Sequence, residues 1–234
     1  SDSYIKTNLE VKIVPPLKSW VDGIIKVNQI KKVKIRDLLG RIPIKIENPI
    51  IKREISGKRI LITGAAGSIG SEITRQLSKY KYEQLILIDQ AESPLYDLQQ
   101  ELIQNNKHHI ISIVVGIQDR SKIDEIFETY RPHKVFHAAA YKHVPLMEYN
   151  PYEAIKTNIA GTKTLADISI KYSVESFVMI STDKAVNPTN VMGATKRTAE
   201  LYISCLSNQN NNTKFTTTRF GNVLGSNGSV SYTH

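Results

Sequence analysis

One cysteine in 234 residues excludes an internal disulfide framework and fits a reducing, cytoplasmic compartment. That residue, Cys205, falls in an apolar helical stretch, where packing is its expected use. Aromatic residues are scarce, at 7% with a single Trp, so the stacking platform of a single-stranded nucleic-acid binder is missing and no nucleic-acid partner is expected. No apolar run is long enough to cross a bilayer, and no signal-peptide pattern, repeat or low-complexity tract is present. Residues 208–212 are a short polar loop. His108, His109, His137 and His143 have no second cluster of His, Cys or acid at ligand spacing, which predicts no metal site. Acidic residues are the scarcer charge, 22 against 31 Lys and Arg. The deficit is local: residues 1–58 hold 13 Lys and Arg against 6 Asp and Glu, and the remainder 18 against 16. Such a basic segment can gain roughly 1 kcal/mol per residue at an anionic lipid surface, so a membrane surface is one candidate partner. A solvated basic face explains the same charge equally well.

What is present is ordinary globular material, 41% hydrophobic and 23% charged, enough for one sizeable core. Gly57–Thr63 is a short apolar run preceded by basic residues. It leads into Gly64-Ala-Ala-Gly67-Ser68-Ile69-Gly70 and then an amphipathic stretch, Ser71 to Tyr80. This reads as strand, glycine turn and helix, with the turn tight enough for a pyrophosphate to approach the backbone at the helix N-terminus. A second strand, Gln84–Asp89, ends in a carboxylate at the distance where a nucleotide-binding βαβ unit places its ribose-binding acid. Asp89 favours NAD over NADP, because it accepts from a 2′-hydroxyl and repels a 2′-phosphate; a strand-end or capping role is the plainer alternative. Further strands are expected at Ile110–Val115, Lys134–His137, Ser176–Ser181 and Phe215–Phe220. Helical stretches such as Ser121–Tyr130, Pro151–Tyr172 and Val191–Ser207 separate them. Strand and helix alternate throughout, which predicts an α/β fold with a doubly wound parallel sheet of Rossmann type.

Four motifs then stand in order: His137-Ala-Ala-Ala-Tyr-Lys-His-Val-Pro145, Lys156-Thr-Asn158, Ser181-Thr-Asp-Lys-Ala-Val-Asn-Pro-Thr-Asn190 and Arg219-Phe-Gly-Asn-Val-Leu-Gly-Ser226. Together they resemble the CapD-like polysaccharide biosynthesis family, extended short-chain dehydrogenase/reductase enzymes that dehydrate UDP-N-acetylglucosamine at carbons 4, 5 and 6. The resemblance implies a cycle in which NAD, or alternatively NADP, takes hydride from C4, water is lost across C5 and C6, and hydride returns to C6. The product would feed capsule, O-antigen or other glycan synthesis. By the same resemblance Lys184 is the base at C5, which requires a neutral amine and hence burial or a nearby cation such as Lys196. Asp183 is the acid for the C6 hydroxyl, which requires a raised pKa. Thr182 would hydrogen-bond the C4 hydroxyl, and Lys196 the nicotinamide ribose.

Met192 stands where short-chain dehydrogenases usually carry a catalytic tyrosine, four residues before Lys196 and on the same helical face. A thioether has no proton to exchange, so the C4 hydroxyl proton passes to Asp183 or to water; in isolation, Met192 reads as a core residue. Gly64, Gly67, Ser68, Ile69, Gly70, Asp89, Ala138, Ala139 and Ala140 are the expected cofactor-binding residues with Lys196. Lys142, Asn158 and Asn222 are the expected substrate residues, Asn158 also as a helix-bending one. One departure concerns the adenine: the family carries Gly-Asp and an aliphatic residue after the third strand, whereas Val115-Gly116-Ile117 puts a glycine in the aspartate's place.

The resemblance further implies a division at residue 56. Residues 1–56 would be a basic connector remaining from an upstream domain, with a strand near Val11–Pro16, and residues 57–234 the dinucleotide domain, with most of the C-terminal substrate lobe missing. A UDP-sugar substrate and a homo-oligomer are expected, at the cytoplasmic face of the inner membrane if the upstream helices exist. Two other readings stay open, a UDP-sugar 4-epimerase of the same fold and a non-catalytic nucleotide-binding module.

Overall fold

The computed structural model describes residues 12–13, 31–32, 49–105, 107–209 and 212–223. It divides into two compact units, Ser1–Ile46 and Glu47–His234. In the first, β1 (Lys12–Ile13) and β2 (Lys31–Lys32) pair antiparallel. The rest of the basic segment, including most of Val11–Pro16, and everything from residue 224 onward lie outside the described residues.

The second unit begins with α1 (Pro49–Ile55), whose Ile55 is buried in the same apolar cluster as the first long strand. Then come β3 (Arg59–Thr63), α2 (Ser68–Leu77), β4 (Gln84–Asp89), α3 (Glu92–Gln104), β5 (Ile110–Val114), α4 (Arg120–Tyr130) and β6 (Lys134–His137). After these follow α5 (Val144–Tyr149), α6 (Pro151–Ala154), a π-helical stretch Ile155–Gly161, α7 (Thr162–Lys171) and β7 (Ser176–Thr182). A 3-10 turn at Asp183–Ala185, α8 (Val191–Ser207) and β8 (Lys214–Phe220) complete the unit.

Strands β3 to β8 form one parallel sheet in the order β5-β4-β3-β6-β7-β8. The expected doubly wound Rossmann sheet is therefore present. Its central strands are continuous apolar runs because both faces are covered. Leu61, Ile86, Val135 and Phe177 meet α4, α7 and α8 on one face, and Ile60, Ile62, Leu85 and Leu87 meet α1, α2 and α3 on the other. The chain starts in the middle, winds outward to β5 and crosses back to β6. That crossing opens a crevice at the carboxyl ends of β3 and β6, where this architecture binds ligands.

Two expectations change. The helix expected over Pro151–Tyr172 is not one α-helix, because a π stretch centred on Asn158 separates α6 from α7. Cys205 is exposed, since the buried stripe of α8 runs through Met192, Lys196, Ala199, Ile203 and Leu206 and leaves position 205 outside it. Among the described residues no helix is long and apolar enough to cross a membrane.

Candidate active site

Two clefts meet at the crevice. The first, of about 230 Å³, lies over the glycine turn and is lined by Gly64, Gly67, Asp89, Gly116 and Gln118, with Ala138 to Tyr141 as its wall. The second, of about 360 Å³, continues past that wall to Ile69, Thr182, Lys184, Met192, Lys196 and Asn222. Lys142 borders it as well. Most residues expected from the sequence thus come together across β3, β6, β7 and α8.

Gly64 sits at φ +66°, and a Cβ there would lie 2.5 Å from the Ala139 backbone nitrogen. The glycine turn and the alanine run touch through main chain, which keeps the cleft floor low. Helix α2 starts at Gly67 with no side-chain cap, so its N-terminal end is left for an anion. Ser68 and Gly70 line neither cleft; Gly70 instead packs against the Gly64 carbonyl. Asp89 accepts from Ala66 N and Ala91 N, both at 2.9 Å. Its carboxylate fastens the glycine turn to the end of β4 and still borders the cleft, where it keeps acceptor capacity for a ribose hydroxyl. Main-chain floor, uncapped helix and strand-end carboxylate together fit a dinucleotide.

Behind the alanine wall a buried polar relay fixes the π stretch. Thr162 Oγ1 donates to the Asn158 carbonyl at 2.7 Å and lies 2.8 Å from His137 Nε2; Thr63 Oγ1 lies 2.8 Å from Nδ1. Thr162 has spent its proton, so Nε2–H donates to it and Thr63 donates to Nδ1. His137 is fully buried, and burial, with Lys196 nearby, pulls its pKa down to about 3.

The Asn158 side chain is also fully buried. Its oxygen accepts from Tyr141 N at 2.9 Å, and its amide donates to Tyr141 O at 3.1 Å and Thr195 Oγ1 at 3.0 Å. It cannot meet a sugar, which corrects the substrate role expected for it. It clips the wall instead. Tyr141 and this relay were not foreseen as site components; Thr63 and His137, polar residues at the ends of largely apolar strands, were the available signal.

At the far cleft, the 3-10 turn carries the charged pair. Lys184 Nζ lies 3.2 Å from Asp183 Oδ1 and 3.0 Å from Asn222 Oδ1. Thr182 Oγ1 donates to the same Asp183 oxygen at 2.9 Å. The turn is held against α8 because Gly193 has no side chain: a Cβ there would lie 2.3 Å from the Lys184 carbonyl.

The electrostatics differ from expectation. The Thr182 hydroxyl and then the Lys184 ammonium lower the pKa of Asp183, where an acid role had required a raised one. Asp183 is not among the cleft-lining residues, although Thr182, Lys184 and Gly221 around it are. Nor is Lys184 buried, its side chain being 36% exposed.

Met192 is buried against Met147 and Ala154 while still bordering the cleft, so it both packs and faces the site. Lys196 is buried and donates to the Ile180 carbonyl at 2.7 Å. Burial, only partly opposed by Glu200, lowers its pKa to about 8. A positive charge bordering the second cleft is therefore lost as pH rises through that value. Titrating NAD+ between pH 7 and 9 should show affinity falling through about pH 8, and Lys196→Met should bind more weakly with no such dependence. Glu200 is itself held by Arg219 at 2.8 and 2.6 Å, a two-pronged contact that ties α8 to β8.

Residues 60–233 match the family described as polysaccharide biosynthesis protein. The capsular polysaccharide biosynthesis protein CapD of Staphylococcus aureus is 49% identical over 224 residues, covering 95% of this chain and 37% of CapD. The inverting UDP-N-acetylglucosamine 4,6-dehydratase of Campylobacter jejuni is 38% identical over 178 residues, 75% of this chain and 52% of that enzyme. Among solved structures, Pen from Bacillus thuringiensis superposes with a TM-score of 0.70 at 37% identity, over 75% of this chain and 53% of Pen. The chain spans between about a third and about half of the length of these relatives.

Proposed function

The chain belongs to the polysaccharide biosynthesis protein family, and from that premise we propose that it carries the catalytic centre of a nucleotide-sugar 4,6-dehydratase acting on UDP-N-acetylglucosamine. The observation that carries this reading is Lys184 lining the cleft that Met192 also borders, with the Asp183 carboxylate 3.2 Å from its Nζ. Such a pair serves an elimination, whereas a simple C4 oxidation needs only one proton acceptor.

Gly64, Gly67, Ile69, Asp89, the Ala138–Ala140 run and Lys196 would hold an NAD, with Asp89 disfavouring a 2′-phosphate. When bound, the dinucleotide supplies hydride acceptance at C4 and hydride donation at C6. The protein's own side chains handle protons. Met192 leaves the C4 hydroxyl proton without a tyrosine to receive it, and the Asp183 carboxylate, kept ionised by its neighbours, takes that part. Thr182, hydrogen-bonded to it, orients the hydroxyl. Once protonated, Asp183 is the acid that the leaving C6 hydroxyl needs. Lys184, beside that carboxylate and acting as the amine, removes the C5 proton.

Per turnover the pair receives protons from the C4 hydroxyl and from C5. It returns one to the departing water and one to C5, so nothing is left over.

The test is a reaction of the protein with NAD+ and UDP-N-acetylglucosamine in D2O, followed by NMR. A 4-keto-6-deoxy product with solvent deuterium at C5 is expected. A 4-epimer carrying no deuterium would replace the elimination with an epimerase, and absence of any turnover alongside tight NAD+ binding would leave a binding module.

A further inference from the structure

The glycine that replaces the family's adenine-binding aspartate makes room for another side chain. A Cβ on Gly116 would lie 2.5 Å from Gln118 Nε2 and 2.8 Å from Cδ and Oε1. The Gln118 carboxamide is folded back over the position where a residue-116 side chain would begin. Both residues line the first cleft, together with Asp89 and Ala91. Gln118 Oε1 is closed off from solvent without a hydrogen-bond partner. The next carboxylate along, Asp119, is committed elsewhere: it caps α4 by accepting from Lys122 N at 3.0 Å.

We propose that Gln118 is the adenine-recognising residue of this chain, and that Gly116 is the space in which it works. The proposal rests on the reading that the first cleft holds a dinucleotide. An adenine edge offers an amino donor at N6 beside a ring acceptor at N1. A carboxylate answers only the donor. A carboxamide answers both at once, with its oxygen toward N6 and its nitrogen toward N1. A half-turn about the Cγ–Cδ bond exchanges those two atoms, so the oxygen that has no protein donor can be presented to the base. The exchange of Asp for Gly at 116 is in this light a relocation of the contact by two residues, from a charged acceptor to a neutral group that both donates and accepts.

The test compares NAD+ with its 1,N6-etheno derivative, in which N1 and N6 are bridged and the edge cannot pair, using calorimetric titration of the protein without substrate. The protein should bind NAD+ about tenfold more tightly than the etheno compound, the lower part of the range for a two-pronged base contact. Gln118→Leu should weaken NAD+ by about the same factor and leave the etheno compound unchanged. The double variant Gly116→Asp/Gln118→Ala, which restores a carboxylate at 116, should recover part of the preference. Equal affinity of the unaltered protein for the two dinucleotides overturns the proposal, and so does a Gln118→Leu variant that keeps the preference. Failure of the unaltered protein to bind NAD+ at all would instead remove the dinucleotide reading beneath it.

Discussion

Lys184→Met should lose elimination by a factor of roughly 10² to 10⁴, the usual worth of a positioned acid or base, with the NAD+ dissociation constant unchanged. The two outcomes separate because of where Lys184 sits. It contacts Asp183 and Asn222 in the second cleft, whereas the residues proposed to hold the dinucleotide are those of the glycine turn, Asp89, the Ala138–Ala140 run and Lys196. Methionine matches the length of the lysine stem and removes its charge and its protons, so the turn Asp183–Ala185 keeps its packing against Gly193. Oxidation at C4, assigned in the proposed mechanism to the carboxylate of Asp183, should persist. The variant is then expected to form the 4-keto sugar with C5 and C6 intact, and NMR in D2O should show protium retained at C5. A Lys184→Met protein that still eliminates water at the original rate would take the base away from this residue. Equal loss of NAD+ binding would place the lysine's role in the cofactor site.

The second large effect is acid instability seated at His137. Its pKa is about 3 in the folded chain, burial being the main cause, against an ordinary value of 6.5. Between those values the unfolded chain binds the proton and the folded chain does not. Stability is therefore full above pH 6.5 and falls as the pH drops toward 3, by up to about 1.4 kcal/mol for each pH unit. The structural reason is local. A proton on Nδ1 opposes the Thr63 hydroxyl that donates to it, and the Phe177 ring and the Lys196 ammonium nearby offer the new charge nothing. Urea denaturation at a series of pH values should show this slope in the natural sequence. In His137→Gln, which does not titrate, the slope over the same window should shrink by close to one proton's worth, whatever the variant's absolute stability. An unchanged slope would assign the acid sensitivity to other groups.

The fold was legible in the sequence because its signals are local. A parallel strand covered on both faces has to be an unbroken apolar run, as in Gln84–Asp89, and a chain that winds through a sheet has to alternate such runs with helices. Gly64 was legible for a similar reason, since a tight turn at positive φ leaves few other choices. The π stretch was written only in part. Asn158 could be marked as a helix-bending residue by resemblance, but the partners that hold it, Tyr141 and Thr195, are distant in sequence. The proton state expected of Asp183 failed on the same ground. Adjacency to Lys184 suggested two opposed pKa shifts, whereas the folded turn joins the Thr182 hydroxyl and the ammonium to one carboxylate oxygen and leaves the pair exposed. At Gly116 the sequence showed a missing carboxylate, and only the fold of the turn shows which neighbour fills the gap.

The segment from Ala138 to Tyr141 is a partition between two clefts, secured from behind by one buried amide. Material settling against one surface of so thin a divider changes the contour met by whatever arrives at the other. Dinucleotide and sugar should accordingly influence each other's affinity by equal factors, a reciprocity that follows from linkage and needs no domain movement.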